Sequence, residues 1–144
     1  MKEYYSAIAL GSTSPEAAEI FRRALDGLTA HGWREARLSR IFRTVPVDCA
    51  PGTPDFANAV VTGYWSGSPR ELLVLTQRLE VAAGRPREHG FHEARTLDLD
   101  ILLVGDRTVE EPDLQIPHPR AAERAFVLDP LRDIAPELEE KLRK

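Results

Sequence analysis

Two amphipathic helical segments, separated by short apolar segments, constrain the fold of this chain more than any other sequence feature. The first follows Ser14 and Pro15, which fit an N-cap and a first helical position. The second follows Ser68, and Glu71 three residues later completes a capping box. Each segment carries apolar residues at helical spacing on one side only, so each must pack on a flat partner.

The apolar segments between these helices are typical of strands. They cover residues 5–10, 36–44, 56–65 and 96–104, and Gly11-Ser12 is expected to form a turn after the first. The resulting order of elements predicts an α+β fold, a ferredoxin-like sandwich with a mostly antiparallel sheet and helices packed on its faces. We also expect a short strand at 107–109 and a helical tail at 138–142. The length of 144 residues fits one domain spanning 1–144.

Composition excludes several classes of protein. There are 19 Lys and Arg residues against 23 Asp and Glu residues, and the resulting net charge of -4 argues against a general nucleic-acid binder. No segment approaches the ~20 apolar residues of a membrane span. The single cysteine, Cys49, cannot form an internal disulfide. We therefore expect a cytoplasmic protein that binds neither nucleic acid nor membranes.

Asp98 and Asp100 are the first candidates for chemistry. Residues i and i+2 of a strand point the same way, so both carboxylates should leave one face while Leu97, Leu99 and Ile101 leave the other. A divalent cation such as Mg²⁺ would offset the repulsion between the two charges and prefers oxygen ligands. The alternative is that both side chains are simply solvated on an exposed face.

Cationic residues surround this strand in the sequence. A polar segment with three arginines precedes it, and His118, fixed between two prolines, follows together with Arg124. Guanidinium groups bind phosphate oxygens in a forked geometry, although each arginine could equally pair with a surface acid. The chain has neither a P-loop nor a G-x-G-x-x-G motif, so loops and a metal would have to hold any nucleotide.

The run from residue 95 to 103, Arg-Thr-Leu-Asp-Leu-Asp-Ile-Leu-Leu, resembles the hallmark of the hydroxymethyl-dihydropterin pyrophosphokinases of folate synthesis. Residues 9–12, 42–46, 56–58, 77–80, 84–87, 116–120 and 124–127 resemble further segments of that family. The resemblance implies a monomeric enzyme that moves diphosphate from ATP to the hydroxymethyl group of a reduced pterin and releases AMP. It also implies that two Mg²⁺ ions take part.

The resemblance further implies a role for individual residues. Asp98 and Asp100 would bind the metal ions, and Arg85 and Arg95 would act with them as catalytic residues on a closing loop. The ATP-binding residues would be Gln77, Glu80, Arg87, Ile101, His118 and Arg124. The pterin-binding residues would be Thr44, Pro46, Phe56, Asn58, His92 and Phe126. His92 stands where many members have a tryptophan, and it either contacts the pterin or points to solvent.

Two other functions remain open at this point. A pterin- or nucleotide-binding regulator could keep the fold and lose efficient catalysis. A two-metal phosphohydrolase could use the same pair of aspartates without an acceptor. We also expect the loop of residues 85–95 to be mobile in the free protein and ordered once ligands neutralise it.

Overall fold

A computed structural model describes residues 2–44, 55–84 and 97–144 of the chain. The strands are β1 (Tyr4–Ser12), β2 (Arg34–Leu38), β3 (Phe42–Thr44), β4 (Phe56–Trp65), β5 (Asp98–Val104), β6 (Val109–Glu111) and β7 (Leu114–Ile116). The helices are α1 (Ala17–Ala30), α2 (Pro69–Ala82), α3 (Ala125–Ile134) and α4 (Pro136–Arg143), with a 3₁₀ turn at Ala121–Glu123.

The main sheet has the strand order β2-β4-β1-β5, and β3 also pairs with β4. Every pairing is antiparallel, and β1 lies between β4 and β5. Because the two helices that follow β1 and β4 cross over the same face, this is the ferredoxin-like α+β arrangement that the sequence predicts. β6 and β7 form a separate two-stranded hairpin.

The sheet has a core on each face. Helices α1 and α2 pack on one face around the fully buried Phe21, Leu28 and Leu72. Helices α3 and α4 pack on the other face around Val60 and Leu131. This second layer covers only part of its face, and the uncovered part carries the polar residues described below.

Three of the predicted boundaries are wrong for local reasons. Helix α1 begins at Ala17 rather than at Pro15, because the Ala17 N–H bonds to the Ser14 carbonyl three residues before it in a tighter turn, and the first four-residue bond runs from the Ile20 N–H to the Glu16 carbonyl. The predicted strand 36–44 is two strands, since the backbone and hydroxyl of Ser39 bond to Val60 and interrupt it. The short strand expected at 107–109 lies instead at Val109–Glu111.

The predicted turn at Gly11-Ser12 is also wrong, because both residues belong to β1. Gly11 pairs with Asn58 on one side and with Asp98 on the other, and Ser12 pairs with Ala57. The first strand therefore continues to the end of the sheet that carries the polar residues. This extension brings the backbone of the central strand between two candidate functional side chains.

The start of α2 is confirmed in detail. The Ser68 hydroxyl accepts a hydrogen bond from the Glu71 N–H at 3.0 Å, and the Glu71 carboxylate accepts one from the Ser68 N–H at 2.8 Å. Gly84 follows the helix with a φ of 102°, a conformation that glycine adopts without strain. The tail predicted at 138–142 is part of α4, whereas the sequence predicts neither α3 nor β7.

Candidate functional site

A cavity of about 620 Å³ lies over the uncovered part of the second sheet face. Its floor is formed by β1, β4 and β5, and its side by the segment that leads into α3. Eight residues predicted from the sequence line it: Thr44, Phe56, Asn58, Asp98, Asp100, His118, Arg124 and Phe126. The fold thus brings together residues that are up to 82 positions apart in the chain, from position 44 to position 126.

Asp98 and Asp100 project from β5 into this cavity. Their neighbours Leu97, Leu99 and Ile101 are buried in the core on the opposite face, so the predicted alternation is confirmed. Carboxylate oxygens are hard donors, and Mg²⁺ usually binds through one or two carboxylates together with water and phosphate oxygens. The pair fits that donor set. Within the described ranges, no cluster of three or more His, Cys, Asp or Glu side chains could hold a metal ion.

Asn58 presents a fixed amide group to the cavity from β4. Its Nδ2 group donates to the Thr44 hydroxyl at 3.1 Å and lies 3.4 Å from the carbonyl oxygens of Phe42 and Phe56. The side chain is only 8% exposed. Because the nitrogen is anchored by β3 and β4, the amide oxygen is held in place, as recognition of a polar ring edge requires.

His118 follows a cis peptide bond between Ile116 and Pro117. Its backbone N–H donates to the Leu102 carbonyl at 3.0 Å, and its Nδ1 atom accepts from the Arg120 N–H at 3.2 Å. Burial lowers the pKa of the imidazole, the carboxylate of Asp100 opposes this, and the nearby arginines add to the lowering. The lowered pKa favours the neutral ring, and the hydrogen bond that Nδ1 accepts places the proton of the neutral ring on Nε2, where it can be donated.

Two aromatic rings form the apolar walls of the cavity. Phe56 belongs to β4, and Phe126 lies in the first turn of α3 with 36% of its surface exposed. The Arg124 guanidinium lies 5.9 Å from the centre of the Phe126 ring. A flat, partly polar ring is the kind of ligand that such walls and the Asn58 amide accept together.

A second cavity of about 330 Å³ adjoins the first and shares Asp100 and His118 with it. Ile101, predicted to bind ATP, lines this second cavity, as do Leu73 and the hairpin residues Asp113, Leu114 and Gln115. Asp113 accepts hydrogen bonds from Arg70 of α2 at 2.6 and 2.9 Å, which ties the hairpin to that helix. Asp100 and His118 therefore lie where the two cavities meet, and Asp98 lines the larger cavity beside them.

The other predicted residues have different positions. The carboxylate of Glu80 accepts a hydrogen bond from the Leu99 N–H at 2.8 Å, between the two aspartates of β5. Gln77 is exposed on α2, one turn before Glu80. Five predicted site residues lie outside the described residues: Pro46, Arg85, Arg87, His92 and Arg95. The prediction for the loop of residues 85–95 also lies outside them.

Sequence reasoning missed several residues that line the cavities. Gly11 and Leu73 both line cavities. The sequence predicts a turn at Gly11, and Leu73 lies outside the apolar stripe of Leu72, Leu75 and Leu79 that predicts α2. The sequence predicts a short strand near the first hairpin strand but not its pairing with the second, since each of these strands has only three residues. Only a prediction that extends the first strand past residue 10 would place Gly11 in the sheet, and therefore on the cavity floor.

Comparison with known proteins decides the family. Residues 7–136 match the model of 7,8-dihydro-6-hydroxymethylpterin-pyrophosphokinase. The chain belongs to this pyrophosphokinase family. A protein of Bacillus subtilis named 2-amino-4-hydroxy-6-hydroxymethyldihydropteridine pyrophosphokinase is 39% identical over 135 residues, which are 93% of this chain and 80% of the relative. A protein of the same name from Pseudomonas aeruginosa is 38% identical over 91% of this chain and 80% of its own length.

The family match extends to longer relatives. A folate synthesis bifunctional protein of Arabidopsis thaliana is 37% identical over 88% of this chain, which corresponds to 26% of that longer protein. The earlier resemblance to the pyrophosphokinases is thereby confirmed. Among the described residues, no helix has both the length and the apolar character needed to cross a bilayer.

Proposed function

We propose that this chain is a pyrophosphokinase that transfers diphosphate from ATP to the hydroxymethyl group of 6-hydroxymethyl-7,8-dihydropterin. The observation that carries the proposal is the position of two carboxylates beside two adjoining cavities: Asp98 and Asp100 line the larger cavity, and Asp100 also lines the smaller one. One cavity has aromatic walls and a fixed amide, which suits a pterin. The other is smaller and combines aliphatic side chains with a few polar ones, which suits the base of a nucleotide.

The acceptor would lie in the larger cavity between Phe56 and Phe126. Asn58 and Thr44 would bind the polar edge of its ring, and His92 and Pro46 would complete this site. This orientation directs the hydroxymethyl group along the sheet toward Asp98. The hydroxyl oxygen must face the β-phosphorus of ATP, so the main contribution of the site to catalysis would be the alignment of these two reacting groups.

The nucleotide would lie in the smaller cavity against Ile101. Arg124 and the neutral His118 would donate hydrogen bonds to phosphate oxygens near the first cavity. Gln77, Glu80 and Arg87 would also contact ATP. Arg85 and Arg95 would bring further positive charge to the transferring diphosphate.

We propose that Asp98 and Asp100 hold two Mg²⁺ ions. When bound, such ions neutralise phosphate charge and polarise the phosphorus that is attacked. In the reaction the hydroxymethyl oxygen forms a bond to the β-phosphorus, the bond from that phosphorus to the α,β-bridging oxygen breaks, and AMP leaves. The hydroxyl proton is lost to solvent, and the pterin keeps the β- and γ-phosphates. We also propose that a single 144-residue domain does this as a cytoplasmic monomer.

Product analysis tests this proposal. Purified protein is supplied with ATP, Mg²⁺ and 6-hydroxymethyl-7,8-dihydropterin, and AMP and the diphosphorylated pterin are measured together. We expect equal amounts of both products, and none without the pterin. Release of inorganic phosphate without the acceptor would indicate a phosphohydrolase instead. Binding of ligands without any product would indicate a regulator.

A further inference from the structure

Gly11 lies at the centre of a row of three residues across the sheet. In the register of β1, Gly11 is opposite Asn58 of β4 and opposite Asp98 of β5. All three line the larger cavity. The row therefore runs from the amide proposed to bind the pterin ring to a carboxylate proposed to bind metal.

The backbone itself does not require glycine at this position. Gly11 is in strand conformation, and its φ lies outside the left-handed range that favours glycine. A Cβ atom added there would lie 3.9 Å from the Ala57 oxygen and the Asn58 Oδ1 atom and 4.0 Å from the Asp98 Cβ atom. These are ordinary contacts. Glycine destabilises the interior of a strand, so the stability of the fold does not explain glycine at this position, and a functional role is the alternative.

The absence of a side chain leaves the cavity floor flat between the two functional groups. Neighbouring strands are about 4.8 Å apart, so the backbones that carry Asn58 and Asp98 are separated by about 10 Å. A bicyclic ring with a one-carbon arm is long enough to cover this distance. With its ring edge at Asn58, such a ligand must pass its arm over Gly11 to reach the phosphate near Asp98.

We infer that Gly11 is a specificity-determining residue that leaves room for the hydroxymethyl arm of the acceptor. The inference rests on the proposed function and deepens it, because it assigns one segment of the substrate to one position of the sheet. The other small residues of β1 on this face differ in their neighbours. Ala9 lies opposite Asp100 and Val60, and Ala7 is buried beneath the helical layer.

The test enlarges position 11 in two steps, with Gly11→Ala and Gly11→Val. Calorimetric titration measures the affinity of each protein for 6-hydroxymethylpterin and for pterin without a substituent at carbon 6, with Mg²⁺ and a non-hydrolysable ATP analogue present. No other glycine that the structure describes offers a control substitution, because each has a positive φ or would clash when enlarged. The matched control is therefore a ligand, the unsubstituted pterin. Titration with the ATP analogue alone is a second control.

We expect Gly11→Val to weaken binding of 6-hydroxymethylpterin by about tenfold or more and Gly11→Ala to have a smaller effect. Binding of the unsubstituted pterin and of the ATP analogue should change less than about threefold. The thermal unfolding midpoint should stay the same or rise, because the new side chains favour a strand. Equal loss of affinity for both pterins, or no loss for either, overturns the inference about the arm. Wild-type protein that binds neither pterin overturns the proposed function as well.

Discussion

At the scale of single residues, the proposed chemistry depends on two carboxylates that leave the same face of β5. Asp98 is half-buried and Asp100 is exposed, and both line the larger cavity. Asp98→Asn and Asp100→Asn keep the size of the side chain but remove the charge that attracts a cation. We expect each variant to lower the rate of AMP formation by at least about a hundredfold.

The control for this prediction is Asp26→Asn. Asp26 is an exposed carboxylate of α1, on the opposite side of the sheet, and it pairs with Arg22 at 3.3 Å. This variant should keep full activity, and all three variants should unfold at the same urea concentration. If either variant of the cavity carboxylates retains near-normal AMP formation, the assignment of the metal ligands is wrong.

A second residue-scale prediction concerns His92, which we propose contacts the pterin. An imidazole offers a smaller stacking surface than an indole, and stacking of a nucleobase on an aromatic side chain is worth about 1–3 kcal/mol. We expect His92→Trp to tighten binding of 6-hydroxymethylpterin and to leave ATP affinity unchanged. Calorimetric titration of both ligands into the two proteins measures this. Unchanged pterin affinity would indicate that His92 points to solvent.

Single residues also show what a sequence can and cannot reveal. The placement of Asp98 and Asp100 on one face follows from the two-residue period of a strand, so it was predictable. The role of Gly11 was not, because glycine is read as a turn signal and only the register with β4 and β5 shows that the strand continues. Interactions between strands that are distant in sequence contain information that local patterns lack.

At the scale of elements, one hydrogen bond joins α2 to the strand that carries the aspartates. β5 is at the edge of the described sheet, and the Leu99 N–H donates to the Glu80 carboxylate at 2.8 Å. Leu99 lies between Asp98 and Asp100. We therefore expect Glu80 to position both carboxylates, in addition to the contact with ATP that we propose for it.

Two substitutions at position 80 separate these roles. Glu80→Gln keeps an oxygen that can accept from the Leu99 N–H, whereas Glu80→Ala removes it. We expect Glu80→Ala to raise the Mg²⁺ concentration for half-maximal activity by roughly three- to tenfold. Glu80→Gln should raise that concentration much less, because its oxygen still accepts from the Leu99 N–H. Initial rates at saturating ATP and varied Mg²⁺ are the measurement. Equal defects in both variants would instead assign the effect to the charge of Glu80.

The elements differ in how far their sequence determines them. The capping box at Ser68 is local, and it predicted the start of α2 correctly. Helix α3 has ten residues and contains Pro130, which removes a backbone donor and weakens the helical signal. It forms because Val127 and Leu131 are buried against the sheet, and that packing cannot be read from the segment alone.

At the scale of the whole molecule, the layer of α3 and α4 couples stability to the site. Helix α3 carries Phe126 on the wall of the larger cavity, and α4 packs against α3 through Leu138 and Leu142. The ferredoxin-like sheet was predictable from the order of its elements. This second layer was not, although its residues complete the cavity. The wall of the site is therefore expected to depend on contacts at the far end of the chain.

One such contact can be tested through its dependence on pH. Glu139 of α4 is 3% exposed, and its carboxylate accepts hydrogen bonds from Arg143 at 2.5 Å and from Arg132 of α3 at 3.5 Å. Burial raises the pKa of this carboxyl, but the two arginines outweigh burial and hold the pKa below its ordinary value of 4.5. A carboxyl group whose pKa is lower in the folded state stabilises the fold fully at pH values above its unfolded-state pKa. This stabilisation is lost as the pH falls through the folded-state pKa.

We therefore expect Glu139→Gln to lower the free energy of unfolding by about 1–3 kcal/mol near neutral pH, because two charge-assisted hydrogen bonds are lost. Urea unfolding at about pH 7 and about pH 4 measures this, with the exposed Glu137→Gln on the same helix as the control. The difference between wild type and Glu139→Gln should shrink at the lower pH, where the wild-type carboxylate begins to protonate. A difference that stays constant, or that also appears in Glu137→Gln, would mean that the ion pairs of Glu139 do not hold the second layer in place.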